Sequence, residues 1–104
     1  MNYIGEYVLT RNTSGDVFAG SVESVEWPPS AILPSYYLTG VTRLWMWTKH
    51  PKGSLSLSAI AIHGGGGTSR IDGATRRTVT HGVREAHVCT QEAREWLSVP
   101  RNNT

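Results

Sequence analysis

Four consecutive glycines, Gly64 to Gly67, close the most strongly patterned stretch of the chain, RLWMWTKHPKGSLSLSAIAIHGGGG from Arg43 to Gly67. Residues without a Cβ lose the most backbone freedom on ordering, so neither a helix nor a strand runs cheaply through such a block. Whatever precedes it must end there. Upstream, Leu44, Met46 and Thr48 alternate with Trp45, Trp47 and Lys49. A period of two predicts a strand with both tryptophans on one face and Leu44 and Met46 on the other. Bulk on both faces reads as a central strand covered on two sides. After a turn at His50-Pro51-Lys52-Gly53, the run Ser54 to Ser58 alternates like a strand, yet Leu57, Ile60 and Ala61 share a helical face. With Ser54 or Ser56 as a fitting N-cap, the expectation is a short helix from about Ser56 to Ile62, with a strand as its rival.

Around this centre the remaining elements follow from turn chemistry and β propensity. Tyr3 to Thr10 and Asp16 to Trp27 predict a hairpin whose turn is Arg11 to Asp16, a run rich in Asn, Ser, Gly and Asp. Gly20 inside the second strand predicts a bulge or a close approach of another backbone. Pro28-Pro29 forbids continuation beyond Trp27, and Pro28 to Pro34 reads as a loop with Ile32 and Leu33 tucked against the core. Tyr36-Tyr37-Leu38 leads through Gly40 toward the central strand. Thr68 to Gly73 reads as a polar loop. Arg76 to Val88 reads as one or two strands, with Val79, Val83 and Val88 facing inward and Gly82 as a bend. Thr90 then caps a C-terminal helix to about Ser98, with Ala93, Trp96 and Leu97 as its apolar stripe, Pro100 as its end and a frayed tail from Arg101.

The sum is a single α+β domain over residues 1–104, built on a small, mostly antiparallel curled sheet of SH3-like or small-barrel type. One short internal helix and one C-terminal helix complete it. Apolar residues make up 38% of the 104, a modest core for a chain carrying four tryptophans, so a homo-oligomer is expected. The formal charge of +2, with no block of Lys and Arg, argues against long nucleic acid as the partner. No apolar run reaches membrane length, and a lone Cys89 cannot form an intrachain disulfide, so a cytoplasmic location is expected. Cys89 reads as a small buried residue.

No catalytic motif stands out. His50, His63, His81 and His87 lack metal-ligand spacing, the acidic residues are scattered, and the serines of SLSLS lack a nucleophile-elbow context. No catalytic residue, metal or cofactor is therefore assigned. The glycine run has two readings, a surface loop or a cradle of backbone N–H groups for an anion. The tryptophans likewise read either as core or interface residues or as a stacking platform for a base. What favours a ligand is proximity in sequence: Arg43, Lys49 and Lys52 flank the tryptophans, and Arg70, Arg76 and Arg77 follow the glycines. In this expectation Trp45 or Trp47 stacks on a base. Arg43, Arg70 and Arg76 neutralise phosphates, and Gly65, Gly66, Gly67, Thr68 and Ser69 donate hydrogen bonds.

The pattern Arg43-Leu44-Trp45 with Trp47, the serine-leucine run through Ala61 and Gly64, and Cys89-Thr90 with Glu92-Ala93 resembles a group of small phage proteins of unassigned function. Val17-Phe18-Ala19-Gly20 is similar too, while Gly64 to Gly67 and Pro28 to Pro34 depart from the pattern. The resemblance implies a viral origin, an α+β fold with a helix in SLSLSAIAI, and a counter-defence role in the host cytoplasm. The function expected is then non-enzymatic capture of a small phosphate-bearing nucleotide signal. The alternative is an inhibitor that binds a host defence protein through Trp27, Tyr36 and Tyr37. A nucleotide-cleaving enzyme with His63 or His81 as general base is the third reading.

Overall fold

The computed structural model describes residues 3–101, apart from the side chain of Ala74. The elements run β1 (Tyr7–Asn12), β2 (Val17–Glu26), β3 (Ser35–Met46), α1 (Leu57–His63), β4 (Arg70–Thr80), β5 (Val83–Val88) and α2 (Gln91–Leu97). All strands pair antiparallel in one sheet of order β4-β3-β2-β1-β5.

This order carries a geometric consequence. β4 and β5 lie at opposite edges of the sheet, yet only His81 and Gly82 separate them in the chain. The sheet must therefore curl until its two edges approach at one corner, without closing into a barrel. Gly82 makes the bend at φ 64°, and its carbonyl accepts from Thr13 N at 3.0 Å. Val83 N donates to Pro34 O at 2.9 Å, and Asn12 Nδ2 donates to Thr80 Oγ1 at 3.2 Å, so the corner is tied to the loops beside it.

Strand alternation then gives the sheet two distinct faces. On the inside of the curl, Val8, Val22, Tyr36, Leu38, Val41 and Val83 pack against one another, with Phe18 and Val25 at the margin. On the outside, Tyr7, Leu9, Val17, Ala19, Leu44 and Ile71 meet Leu57 and Ile60 of α1 and Ala93 and Leu97 of α2. Full burial of side chains such as Leu9, Ile60 and Leu97 contributes about 1.5–3 kcal/mol each. Gly20 lies at a register shift between β2 and β3, where a Cβ would stand 2.9 Å from Thr39 O, so the bulge and the close approach are both present.

The internal helix forms as a helix because Ser56 caps it, accepting from Ala59 N at 3.3 Å, while Leu57, Ile60 and Ala61 face the sheet. Thr90 caps α2 by accepting from Ala93 N at 3.2 Å and donates its own hydroxyl to Ile62 O at 2.6 Å, which locks the two helices together. Gly64 ends α1 at φ 80° with its N–H on Ile60 O.

Several expectations need correction. Arg70 to Gly73 belongs to β4, because its backbone completes the ladder with β3 rather than looping free. Val79 and Val88 are exposed, since only one face of each edge strand meets a core; Val83 is buried. Ile32 is 88% exposed instead of tucked inward. The tryptophans do not share a face: β3 ends at Met46, and Trp47 turns onto the helix-side core while Trp45 stays outside it. Met46 is exposed, so β3 is not covered on both sides at that end. The tail is pinned through Arg101, which exchanges two 2.8 Å backbone hydrogen bonds with Ile71; residues 102–104 lie outside the described part.

Candidate functional site

The glycine run is the first place to look for an anion, and its geometry is that of packing. A Cβ on Gly65 would stand 2.5 Å from Trp96 Cη2, and one on Gly66 would stand 2.6 Å from Lys49 O and collide with Thr48 Oγ1. Gly66 N already donates to Thr48 O at 2.7 Å, and Gly65 bridges to Lys49. Ser69 is buried and its Oγ accepts from Thr48 N at 3.1 Å, while Thr68 Oγ1 donates to Thr48 Oγ1. The loop lets Trp96 and the Thr48 segment approach the end of α1. It is a seat for an indole and a backbone, with Gly65, Gly66, Thr68 and Ser69 committed to protein partners. The expected cradle is not what these groups form.

The other expected residues divide between two places. Trp47 is half-buried, donating its indole N–H to Leu55 O at 2.9 Å, with Arg11 5.6 Å over its ring. It lines a cavity of about 320 Å³ with Met46 and Leu55. Arg70 pairs with Met46 near this end of β3, and Arg76 lies further along β4; both are exposed and neither has an ion-pair partner among the described residues.

Arg43 and Trp45 meet on the inner side of the sheet. Alternation from Val41 puts Arg43 and Trp45 on that face, with Arg43 directly opposite Phe18 of β2. The Arg43 guanidinium lies 3.5 Å from the Trp45 ring centroid and 5.8 Å from that of Phe18. Its Nη2 donates to Asp16 Oδ1 at 2.7 Å, an ion pair only partly exposed. Asp72, paired with Arg43 across the ladder, accepts from the indole N–H of Trp45. Two carboxylates, one guanidinium and one indole thus hold each other in fixed rotamers.

Beside this cluster lies a cavity of about 260 Å³ with Phe18 and Val41 among its apolar walls and Arg43, Asp72, Thr75 and Thr78 among its polar ones. Arg43 Nε is buried with no partner, a donor whose desolvation nothing yet offsets. Thr75 and Thr78 share a hydroxyl contact at 2.9 Å, leaving lone pairs and one proton to offer. A guanidinium, a carboxylate and two hydroxyls beside the Phe18 ring suit a planar polar ring. The local charge sums to −1 from Asp16, Asp72 and Arg43, so this cavity is no phosphate trap; Arg43, expected to neutralise phosphate, is neutralised by Asp16.

A family model described as Domain of unknown function (DUF6948) matches residues 5–97. The chain belongs to this family. No curated protein and no solved structure matches it. The matched DUF6948 span covers every strand and both helices, so the cluster around Arg43 lies wholly within the domain. Among the described residues no three His, Cys, Asp or Glu side chains converge as a metal site would require, and no helix is long and apolar enough to cross a membrane. Cys89 is largely buried, which pushes its thiol up to about 12 and keeps it in the unreactive protonated form.

Sequence reasoning missed Asp16, Phe18, Asp72, Thr75 and Thr78 as neighbours of Arg43. The sequence places Asp16 in a turn, where it does lie, and Asp72 in a loop, whereas Asp72 belongs to β4. The signal available was the pairing of Arg43 with both Phe18 and Asp72, which becomes visible only once the register is fixed.

Proposed function

We propose that this DUF6948 protein captures a small nucleotide and holds it intact, with its base in the cavity beside Arg43. The observation that supports the reading is a recess lined by Arg43, Asp72, Thr75 and Thr78, beside which Arg43 Nε is buried without a partner. A donor and an acceptor a short span apart are what the edge of a nucleobase pairs with, and Phe18 and the Arg43 guanidinium are flat surfaces for its faces. The phosphates extend out of the recess toward the exposed Arg76 and Arg70, which flank Asp72 to Thr75 on β4. Trp45 acts chiefly by holding Arg43 and Asp72, and its remaining exposed surface, 48% of the residue, adds stacking area. In a small phage protein, such capture removes a nucleotide signal that host defence enzymes make.

A thermal-shift screen with linear and cyclic nucleotides tests this, with each hit released by heat and its integrity checked by chromatography. A rise in Tm with intact ligand recovered is expected, because a ligand bound only by the folded state stabilises it. Arg43→Lys keeps a cation for Asp16 but loses the planar guanidinium stacked on Trp45, and is expected to abolish the shift; the melt of the unliganded variant controls for lost packing. No shift with any nucleotide would overturn the reading.

A second reading rests on a different observation: Trp27 is 63% exposed and Ile32 88%, both on the loop between β2 and β3. Large apolar side chains held in solvent are typical anchors of protein interfaces. Here a host defence protein is the partner, and Trp27→Ser would abolish complex formation without affecting nucleotide binding. Tyr36 is buried and takes no part, in contrast to its expected role in the patch.

A further inference from the structure

The end of the sheet where β3 begins and β4 ends holds a second set of chemical groups. Ser35 opens β3 and His81 follows β4, and the closing of the curl brings them together: Ser35 Oγ and His81 Nδ1 are 2.8 Å apart. Both line a cavity of about 500 Å³ whose other walls include Pro28, Ala31, Ile32 and Leu33. Ser35 is buried, while His81 is exposed and its Nε2 has no protein partner among the described residues. With Nε2 carrying the ring proton, Nδ1 is free to accept from the serine hydroxyl, which is the relation of nucleophile to base. Ser30, which also lines this cavity, has a left-handed backbone at φ 64°, the one such residue other than glycine among the described residues. Such strain costs on the order of 1–3 kcal/mol and concentrates at functional sites. The position of His81 is itself fixed by Gly82, by the Asn12–Thr80 hydrogen bond and by Val83 N on Pro34 O.

We propose that Ser35 and His81 form a nucleophilic dyad that accepts the acyl group of small apolar esters. Ser35 Oγ attacks the ester carbonyl carbon as its proton passes to His81 Nδ1. The carbon–oxygen bond to the leaving group then breaks, and His81 returns the proton to the departing alcohol. Water, activated by His81, hydrolyses the acyl-serine and restores the hydroxyl. The acyl chain lies against Pro28, Ala31, Ile32 and Leu33, so short to medium aliphatic acyl groups are the substrate class. This site is separate from the Arg43 recess and does not depend on it.

The test uses the whole protein with an alkyl fluorophosphonate, followed by intact mass and peptide mapping, together with hydrolysis of p-nitrophenyl butyrate. One adduct on the peptide containing Ser35 is expected, with ester turnover that the labelling abolishes. His81→Gln, which keeps a hydrogen-bonding side chain beside Ser35 and should preserve the fold, is expected to slow labelling by roughly a hundredfold or more. Ser35→Ala, checked for its melting transition, should lose the adduct. An unlabelled protein, an adduct elsewhere, or labelling of His81→Gln at the wild-type rate would overturn the proposal. Because mapping locates the adduct in the unmutated chain, the proposal stays falsifiable even if Ser35→Ala does not fold.

Discussion

Gly66→Ala should be among the most destabilising single-methyl additions this domain can receive. The added Cβ would stand 2.6 Å from the Lys49 carbonyl oxygen and also overlap Thr48 Oγ1. Neither neighbour can withdraw cheaply. The carbonyl is backbone, and the Thr48 segment is held by Gly66 N on Thr48 O at 2.7 Å and by Thr48 N on Ser69 Oγ at 3.1 Å. Overpacking of this kind costs typically about 1–3 kcal/mol, and backbone contact places the change at the upper end. For a domain of this size about 1 kcal/mol moves the melting temperature by roughly 4–8 °C, so a cost of about 3 kcal/mol lowers it by about 12–24 °C. Gly67→Ala is the matched control, since an added Cβ there meets nothing within 4 Å. Removing glycine freedom from the unfolded chain should make it neutral or stabilising by about 0.4–1 kcal/mol. Thermal unfolding followed by circular dichroism reads both. If Gly66→Ala melts within a degree or two of wild type, the glycine run is not the packing seat inferred for it.

The other expectations concern different parts of the molecule. Thr90→Ala removes the cap of α2 and the 2.6 Å hydrogen bond to Ile62 O together, and should cost about 1–2 kcal/mol in denaturant unfolding. Asp16→Asn breaks the partly exposed ion pair with Arg43 and should cost only about 0.2–1 kcal/mol, while loosening Arg43 enough to weaken ligand binding measurably. Cys89 should resist a thiol reagent at pH 8 until denaturant is added. Because its folded pKa, about 12, lies above the ordinary value of 9.0, the folded state holds the proton longer. The associated stability is thus complete below pH 9 and lost as pH rises toward 12, an effect that Cys89→Ala should remove.

Much of the fold was legible because local chemistry and tertiary packing agree. Ser56 and Thr90 cap the helices that their sequence neighbours predict, the turn before Val17 follows from Asn12, Ser14 and Gly15, and Gly20 marks a bulge. Asn12 Oδ1 accepts from both Ser14 N and Asp16 N, which is the Asx chemistry that such a run offers. The errors arose where alternation depends on strand ends. β3 stops at Met46, so Trp47 leaves the face it would share with Trp45, and β4 starts at Arg70, earlier than a glycine-rich and polar segment suggests. The site was legible only in part. Arg43 and Trp45 stand out as types, but their partners Asp16 and Asp72 arrive from the turn before β2 and from β4, through a register that no local pattern encodes. The glycines illustrate the opposite case: a motif suited to phosphate is consumed by Trp96 and Thr48, whose approach is a tertiary fact.

The most direct test of nucleotide capture is a heteronuclear NMR titration of the protein with the nucleotide that gives the largest thermal shift. Capture in the Arg43 recess predicts saturable shifts at the Trp45 indole N–H and Arg43 Nε–H and at the backbone amides of Phe18, Asp72, Thr75 and Thr78, with Trp27 and Trp96 unmoved. Shifts confined to Trp27 and the loop that carries it, or a spectrum unchanged at saturating nucleotide, would contradict it.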